Sequence, residues 1–235
     1  MNKILVLLSG GIDSSTALAL AVQKEGRKNV FALNIHYGQK HDIELKAARK
    51  VAEYYRVDYH VMELPAIFAN SNSPLLKHSD KEIKHQSYAE QLKELGGTET
   101  VDTYVPFRNG IMISVAASYA LSVGASVIYY GAHADDAAGR AYPDCTVHFS
   151  EAMASAVVEG TGGRVTLQYP FINLTKDKIV AIGLELLVPY ELTWSCYEGK
   201  AKPCGVCGTC IDREKAFKLN QVYDPYKTLW EKLLK

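Results

Sequence analysis

The N-terminal segment joins a short apolar run to a loop of small and hydroxylated residues. Residues 4–8 read ILVLL and residues 9–15 read SGGIDSS, and apolar residues then recur through residues 14–23 at the spacing of a helix face. A continuous apolar run of this length is typical of a strand that is buried on both faces of a parallel sheet. The sequence therefore predicts a strand, a turn and a helix, which restricts the chain to an α/β fold.

The alternation of strand and helix patterns continues along the chain. Further strands are predicted at residues 30–35, 57–64, 127–130 and 165–169. Helical patterns lie between them at residues 41–55 and from residue 111 onwards, and another follows the last strand at residues 176–187. The charge-free stretch 111–132 is long enough to span a bilayer, but its serines and Gly124 favour a buried helix followed by a strand. Together these elements predict a Rossmann-like, doubly wound parallel sheet.

Two regions interrupt this alternation. Residues 69–103 are polar and contain one amphipathic helix pattern near residues 87–95. A long insertion of this kind is typical of a mobile flap over a site. Residues 191–235 contain the cysteine-rich segment, so we expect one large domain over residues 1–190 followed by a small C-terminal lobe.

The charge balance limits the kinds of partner that the chain can have. Lys and Arg total 26, and Asp and Glu also total 26, so no net field attracts nucleic acid or an anionic membrane. The apolar run at the N-terminus ends after five residues, and no cleavage site follows it, which argues against a secretory signal. We expect a cytoplasmic protein that acts on small molecules.

The loop at residues 9–15 admits three interpretations: the end of a signal peptide, an ordinary tight turn, or a phosphate-binding loop. In an α/β sheet, ligands bind beyond the carboxyl ends of the strands, where this loop is predicted to lie. Its glycines allow a ligand to approach the backbone, and its N–H groups with a helix N-terminus attract anions. The spacing matches neither the Walker loop nor the dinucleotide-binding glycine motif. The pattern favours a phosphate-binding loop of another type.

A bound triphosphate needs further groups besides the loop backbone. The serine hydroxyls can donate hydrogen bonds, and Asp13 can hold Mg²⁺ or organise the loop. A helix N-terminus contributes only about 0.3–1 kcal/mol per exposed charge, so basic side chains must help. Arg108, in the stretch YVPFRN, is the first candidate, although a solvated arginine at a helix start would leave the same pattern.

Four of the five cysteines cluster near the C-terminus. The spacing C-x7-C-x2-C-x2-C brings together Cys196, Cys204, Cys207 and Cys210, whereas Cys145 stands apart. Such a cluster in a cytoplasmic protein is typical of a metal site rather than of disulfides. Four thiolates suit a closed tetrahedral zinc site. An iron–sulfur cluster is the competing interpretation, and the long first gap with no Cys-Pro pair favours zinc.

Several of these motifs together resemble those of one enzyme family. SGGIDSS resembles the PP-loop of the N-type ATP pyrophosphatases, which share an adenine nucleotide alpha hydrolase-like fold. Within that group the chain resembles the 7-cyano-7-deazaguanine synthase family along nearly its whole length. The matching stretches are LLSGGIDSS, YGQKH at residues 37–41, TYVPFRN, YPDC at residues 142–145, LTWSCY and KPCGVCGTC.

The resemblance implies the substrates and the residues that bind ATP. Members convert 7-carboxy-7-deazaguanine, ammonium and ATP into a nitrile through adenylated intermediates, with zinc as a structural ion, Mg²⁺ with the ATP, and a homodimer as the assembly. The implied catalytic residues are Asp13, Ser14 and Arg108. The implied ATP-binding residues are Leu8, Ser9, Gly10, Gly11, Ile12, Asp13, Ser14, Ser15, His36, Tyr37 and Arg108.

Recognition of the deazaguanine is harder to assign. One carboxylate can accept both N–H groups on the edge of such a base. Asp144 is the first candidate, Asp135 or Asp136 the second or a metal ligand, and Tyr142 is a further predicted contact. Asp144 could instead be a turn residue. His133 could move a proton from ammonium, although a lone histidine at a strand end is more often structural.

Two departures from the family pattern bear on substrate and backbone. Phe107 stands where the family usually has glycine; a left-handed backbone would be costly for phenylalanine, so we expect the loop to take a different path. The segment HADDAAGRAY (133–142) also differs, so the substrate could be a related carboxylate, or the reaction could stop at the amide. A PP-loop enzyme that modifies or thiolates tRNA, and a nucleotide sensor without catalysis, are the alternatives.

Overall fold

A five-stranded parallel sheet organises the part of the chain that the computed structural model describes, residues 2–96, 99–200 and 202–226. Its strands are β1 (Ile4–Leu7), β2 (Val30–His36), β3 (Asp58–Glu63), β4 (Val127–Tyr129) and β5 (Thr166–Gln168). They lie in the order β3-β2-β1-β4-β5, and every pairing is parallel. This order reverses direction between β1 and β4, which is the position where doubly wound folds bind ligands. The predicted Rossmann-like α/β sheet is confirmed.

Helices cover both faces of the sheet. They are α1 (Ile12–Glu25), α2 (Ile43–Tyr55), α3 (Tyr88–Glu94), α4 (Arg108–Val123), α5 (Ala134–Ala137), α6 (Val147–Gly160), α7 (Lys176–Glu185) and α8 (Gly208–Leu219). Short 3₁₀ turns lie at Arg27–Asn29, Pro65–Phe68, Ala138–Arg140, Pro143–Cys145 and Tyr190–Leu192. The helix pattern that we placed near residues 87–95 is confirmed as α3, which begins with a capping box at Ser87. The sequence analysis missed α6, because that helix is itself composed largely of small and apolar residues and shows no distinct polar face.

The central strand β1 explains why the chain starts with an uninterrupted apolar run. Ile4 and Val6 are buried on one face of the sheet, in a core that also contains Phe217 of α8. Leu5 is buried on the other face, beside Ile113 of α4. Successive strand residues point to opposite faces, so a strand that helices cover on both sides must be apolar throughout.

The polar insertion at residues 69–103 packs against the body of the protein. Leu76 is buried, and its backbone forms an antiparallel bridge with Gln39. The Tyr88 hydroxyl, at the start of α3, lies 2.9 Å from that of Tyr197 near the C-terminus. The insertion therefore contacts the segment that follows β2 and the cysteine-rich segment, both of which border the candidate site.

The charge-free stretch 111–132 does not form one long helix in the structure. Within the described residues, no helix combines enough length with enough apolar character to cross a membrane. The apolar stretch 111–132 is divided between α4 and β4, with Gly124 at the helix end in a left-handed conformation. The predicted helix, glycine stop and strand are thus confirmed.

A buried arginine ties α8 to the segment that follows α7. The Arg213 guanidinium is 2% exposed and binds both oxygens of Asp224, at 2.7 and 2.9 Å. It also donates to the Thr193 hydroxyl at 2.8 Å and to the Tyr190 carbonyl at 3.0 Å, and it stacks 4.0 Å from the centroid of Tyr226. Since α8 also contributes to the main core, the C-terminal segment is built into the α/β body.

Removing the carboxylate that neutralises this arginine should destabilise the protein strongly. We expect Asp224→Ala to lower the free energy of unfolding by about 3–5 kcal/mol, because it leaves a buried guanidinium without its counter-charge. Urea denaturation followed by circular dichroism measures the change. Asp80→Ala, at an exposed position, is the control and should shift the value by less than about 0.5 kcal/mol. A loss below about 1 kcal/mol for Asp224→Ala would contradict the expectation.

Candidate active site and cysteine cluster

A cavity of about 250 Å³ lies at the carboxyl ends of β1, β2 and β4. Nine of the predicted site residues line it: Leu8, Ser9, Gly11, Ile12, Asp13, Ser14, Tyr37, Arg108 and Asp136. Six others are not among the lining residues: Gly10, Ser15, His36, Asp135, Tyr142 and Asp144. The cavity therefore brings together most of the predicted ATP-binding set and one of the predicted substrate-binding residues.

The loop after β1 has the backbone shape that an anion site requires. Gly10 has φ +88°, and a Cβ there would lie 2.6 Å from the Ala48 nitrogen and 2.7 Å from the Glu44 carbonyl of α2. Glycine is therefore required at this position, both for its conformation and for its contact with α2. Gly11 is the N-cap of α1 and has no side chain that could cap the first turn. The helix N-terminus, which lines the cavity, is therefore suited to bind an anion.

Asp13 forms an ion pair beside this loop. Its Oδ2 accepts from the Lys176 ammonium at 2.6 Å and lies 3.7 Å from Nε2 of the buried His133. Burial alone would raise the pKa of Asp13, but the charge and hydrogen bond of Lys176, together with His133 and a backbone hydrogen bond, outweigh burial, and the pKa falls below its usual value. Burial alone would lower the pKa of Lys176, but Asp13, together with the charges of Asp136 and Asp212, outweighs that effect, and the pKa is raised. Both groups are therefore charged at neutral pH.

The sequence analysis missed Lys176, although a signal for it was present. Lys176 is the first residue of α7, which has Thr175 at its N-cap. A positive charge at a helix N-terminus is unfavourable because the helix dipole is positive there. A lysine in this position at the carboxyl end of a sheet therefore indicates a nearby anion, which here is the Asp13 carboxylate.

Arg108 and Tyr37 form a second polar pair in the cavity wall. The Arg108 guanidinium donates to the Tyr37 hydroxyl at 3.1 Å and lies 5.3 Å from the centre of its ring. Burial raises the pKa of Tyr37, and Arg108 partly opposes that shift. Arg108 begins α4 and points into the cavity rather than into bulk solvent, which leaves a cation available to an anionic ligand.

The prediction that the loop at Phe107 takes a different backbone path is wrong. Phe107 does adopt the left-handed conformation, with φ 56° and ψ 24°. Its N–H donates to the Tyr104 hydroxyl at 2.9 Å, and its ring packs edge-on against Phe149 at 5.8 Å and covers Gly110. These contacts offset a backbone cost of about 1–2 kcal/mol, so the chain keeps the conformation with phenylalanine in place of glycine.

The remaining substrate-binding candidates take part in contacts within the protein. Asp135 Oδ2 accepts from the Lys176 backbone N–H at 2.7 Å, and Tyr142 lies 2.6 Å from the Thr103 hydroxyl. Asp144 Oδ2 accepts from the Asn109 backbone N–H at 2.9 Å, so it helps to hold the first turn of α4. Burial raises the pKa of Asp144, although this hydrogen bond and Arg108 oppose the shift. Their roles toward a substrate stay predictions.

Further cavity residues had no site role in the sequence analysis, although several lie in the quoted motifs. They come from β2 and the segment after it, from α2, α4 and α7, from the end of β4, and from the cysteine-rich segment. Those with amide, hydroxyl, charged or aromatic side chains are Asn34, Gln39, Glu44, Asn109, Tyr130, Lys176, Trp194, Ser195, Tyr197, Thr209 and Arg213. Five of the eleven lie beyond residue 190, so the C-terminal segment forms a wall of the cavity.

The four clustered cysteines converge as a metal site requires. The sulfur atoms of Cys196, Cys204, Cys207 and Cys210 all lie within 4.8 Å of one another. A zinc–sulfur bond of about 2.3 Å in a tetrahedron corresponds to sulfur separations of about 3.8 Å, so the set needs little adjustment. All five cysteines of the chain, including Cys145, are free of disulfides. The residues present therefore fit a tetrahedral thiolate-bound metal ion.

Backbone N–H groups donate to the sulfur atoms of the cluster, and residues next to one of its ligands line the cavity. The N–H groups of Cys204 and Cys207 donate to cysteine sulfurs, each at 3.3 Å, as expected around metal thiolates. Ser195 and Tyr197 flank the ligand Cys196 and line the cavity. A metal ion in the cluster would therefore hold one wall of the cavity in place.

Taken together, the sheet order and the loop after β1 define an α/β protein with a candidate phosphate-binding loop at the carboxyl ends of its strands. A solved structure of NMN synthetase from Francisella tularensis has a similar fold, with a TM-score of 0.51 at 17% identity over 94% of this chain and 78% of that one. The family model described as "Queuosine biosynthesis protein QueC" matches residues 3–221. The chain belongs to this family.

Curated relatives agree with that assignment. The 7-cyano-7-deazaguanine synthase of Archaeoglobus fulgidus is 41% identical over 224 residues, which cover 95% of this chain and 89% of that protein. The 7-cyano-7-deazaguanine synthase of Oceanobacillus iheyensis is 40% identical over 233 residues, which cover 96% of this chain and 98% of that protein. The family resemblance read from the motifs is thereby confirmed.

Loss of one cluster ligand should remove the metal and destabilise the C-terminal wall. We expect Cys196→Ser to lower the bound zinc per chain and to lower the melting temperature, since structural zinc contributes about 10–16 kcal/mol in small peptides. Metal analysis and thermal unfolding measure the two effects. Cys145→Ser is the matched control for metal content, because Cys145 lies outside the cluster. A variant that loses zinc with unchanged melting would refute the structural role.

The left-handed conformation at Phe107 can be tested with two truncations. Both Phe107→Ala and Phe107→Gly remove the ring, but only glycine adopts this conformation without strain. We therefore expect Phe107→Gly to be more stable than Phe107→Ala by about 1 kcal/mol. The free energies of unfolding in urea provide the comparison. An alanine variant at least as stable as the glycine variant would mean that residue 107 is not held in the left-handed region.

Proposed function

We propose that this chain converts 7-carboxy-7-deazaguanine and ammonia to 7-cyano-7-deazaguanine, with ATP, as a step of queuosine precursor biosynthesis. The observation that carries the proposal is the combination of family membership with a cavity that the PP-loop and Arg108 line. The curated relatives carry the name of this activity over nearly the full length of the chain.

The chemistry proceeds in two stages on one carboxylate. In the first stage a carboxylate oxygen attacks the α-phosphorus of ATP, pyrophosphate leaves, and ammonia then displaces AMP to form the amide. In the second stage the amide oxygen attacks a second ATP in the same way, and loss of AMP leaves the nitrile. Carboxylate and amide oxygens are poor leaving groups at neutral pH, so each must first be adenylated.

The residues of the cavity suit this chemistry. The backbone and hydroxyl groups of residues 9–15, including Ser14, would hold the departing pyrophosphate. Lys176 and Arg108 add positive charge where negative charge accumulates, and Tyr37 would border the adenine. A protein surface that fixes the attacking oxygen in line with the phosphorus supplies much of the rate enhancement in such transfers.

The metal ions and the assembly belong to the same proposal. Asp13 Oδ1 is buried and has no hydrogen-bond partner. The cavity-lining Asp136 carboxylate lies close to His133, the histidine that the Asp13 carboxylate also approaches. These oxygens suit Mg²⁺, which binds carboxylates and ATP phosphates together. The four thiolates suit zinc. A cytoplasmic homodimer that acts on small molecules, without nucleic-acid or membrane partners, is what the resemblance and the balanced charge support.

An RNA-modifying activity is the alternative that a PP-loop leaves open. Thiolating enzymes of that kind would need a reactive cysteine pair near the ATP. Cys145 lines the cavity here, but burial raises its pKa well above that of an ordinary thiol, which keeps it protonated and unreactive. The other four cysteines form the metal cluster, and these points favour the small-molecule reaction.

The proposal is tested by mixing the purified protein with ATP, Mg²⁺, ammonium and 7-carboxy-7-deazaguanine. We expect AMP to form together with the nitrile, identified by the mass of the heterocycle. We expect Arg108→Met to lower the rate by about 10²-fold or more, because a cation that faces the transferred phosphates is lost. Arg27→Met, at an exposed position, is the control. Product that stops at the amide, or no AMP that depends on this substrate, would contradict the proposal.

A further inference from the structure

The charged side chains of the cavity differ in whether they have a counter-charge. Asp13 is paired with Lys176, and Arg213 with Asp224. Asp136 Oδ2 lies 3.2 Å from Nε2 of His133. In the described part of the chain, Glu44 is the cavity-lining carboxylate for which no hydrogen bond or ion pair within 4.0 Å is found.

Glu44 is placed beside the PP-loop by the packing of α2. It lies in the first turn of that helix, and its carbonyl is one of the atoms that crowd Gly10. Glu44 lines the cavity together with Tyr37 and Arg108, and the charge of Arg108 acts on its carboxyl group. Glu44 therefore belongs to the same cavity as the PP-loop and the cation of Arg108.

The surroundings of Glu44 also change its acidity. Burial raises the pKa of Glu44 to about 7, and the nearby Arg108 only partly opposes this shift. A carboxyl group with a pKa near neutrality can both accept and release a proton at the pH of the cell, which is the range where general bases are most effective. No neighbouring lysine or histidine has to move for it to act.

The substrates of the proposed reaction divide by charge. ATP and the heterocycle's carboxylate are anions, for which the cavity offers the loop, Lys176 and Arg108. Ammonium is the cation, and it must lose a proton before its nitrogen can act as a nucleophile. Glu44 is the cavity carboxylate left without a partner, so its charge matches the substrate that the other groups do not serve.

We propose that the Glu44 carboxylate binds the ammonium ion in the cavity and accepts its proton, so that ammonia can attack the adenylated carboxylate. This inference rests on the proposed function. One N–H bond of ammonium breaks and the proton moves to a Glu44 oxygen. The freed lone pair forms a bond to the acyl carbon, and the bond from that carbon to the AMP oxygen breaks with its electrons on AMP. The new amide nitrogen then loses a proton to solvent, and Glu44 releases its own proton to solvent.

The experiment compares two nucleophiles in the Glu44→Gln variant. Ammonium is almost fully protonated at neutral pH, whereas hydroxylamine is mostly unprotonated and needs no base. We expect kcat/KM for ammonium to fall by about 10²-fold or more, while hydroxamate formation from hydroxylamine stays within a few-fold of wild type. Exchange of labelled pyrophosphate into ATP, which depends on 7-carboxy-7-deazaguanine, should persist because adenylation precedes the step at Glu44.

Glu53→Gln is the matched control, since Glu53 is an exposed glutamate of the same helix. It should leave the use of both nucleophiles unchanged. Thermal melting of both variants separates a folding defect from a catalytic one, and Glu44→Asp, which keeps the carboxylate, should recover part of the ammonium-dependent rate.

Three results would overturn the inference. An equal loss with ammonium and hydroxylamine would show that Glu44 does not act as the proton acceptor. Loss of pyrophosphate exchange would place Glu44 in ATP or carboxylate binding, and wild-type use of ammonium would remove any role. If the wild-type protein makes no amide from 7-carboxy-7-deazaguanine, the proposed function fails and this inference fails with it.

Discussion

The position of β1 at the centre of the parallel sheet is the constraint on which the rest of the structure depends. Its neighbours are β2 and β4, so the segments that follow these three strands meet at one edge of the sheet. The tight contact of Gly10 with α2 then fixes how the loop after β1 faces the segment after β2. Because β1 is hydrogen-bonded on both edges, to β2 and to β4, the positions of the segments that follow these strands are set by the pairing of the sheet.

The charged groups of the cavity differ in whether a counter-charge neutralises them. Those without one are the more available to ligands. The Arg213–Asp224 pair satisfies its own charges, as buried ions must, whereas the Asp13–Lys176 pair lines the cavity beside the PP-loop. Arg108 is held by a tyrosine hydroxyl rather than by a carboxylate, which leaves its charge for an anion. A site that binds anions and a small cation side by side needs this division, because a fully paired cavity would have no charge left to attract either.

Sequence patterns predicted most of the fold because a parallel sheet that is covered on both faces determines which residue types its strands and helix ends can contain. Uninterrupted apolar strands and the glycine after α4 follow directly from burial and from helix-end geometry. The PP-loop and the cysteines were predictable because their chemistry depends on local spacing. Glu44 was not, since it reaches the cavity only through the packing of α2, and Lys176 left only the indirect signal of a cation at a helix N-terminus. The conformation at Phe107 was wrongly predicted for the same reason: tertiary contacts of its ring outweigh a local backbone preference.

The cysteine cluster links the stability of the C-terminal segment to the geometry of the cavity. The Trp194 backbone N–H donates to the Gly10 carbonyl at 2.8 Å, so the segment that leads to the cluster is bonded to the PP-loop itself. The free energy of structural zinc binding in peptides, about 10–16 kcal/mol, is as large as the stability of a typical domain, about 5–15 kcal/mol. A metal ion in the cluster would therefore do more than close a surface lobe. It would fix Ser195 and Tyr197 against the loop, because both flank a ligand and line the cavity.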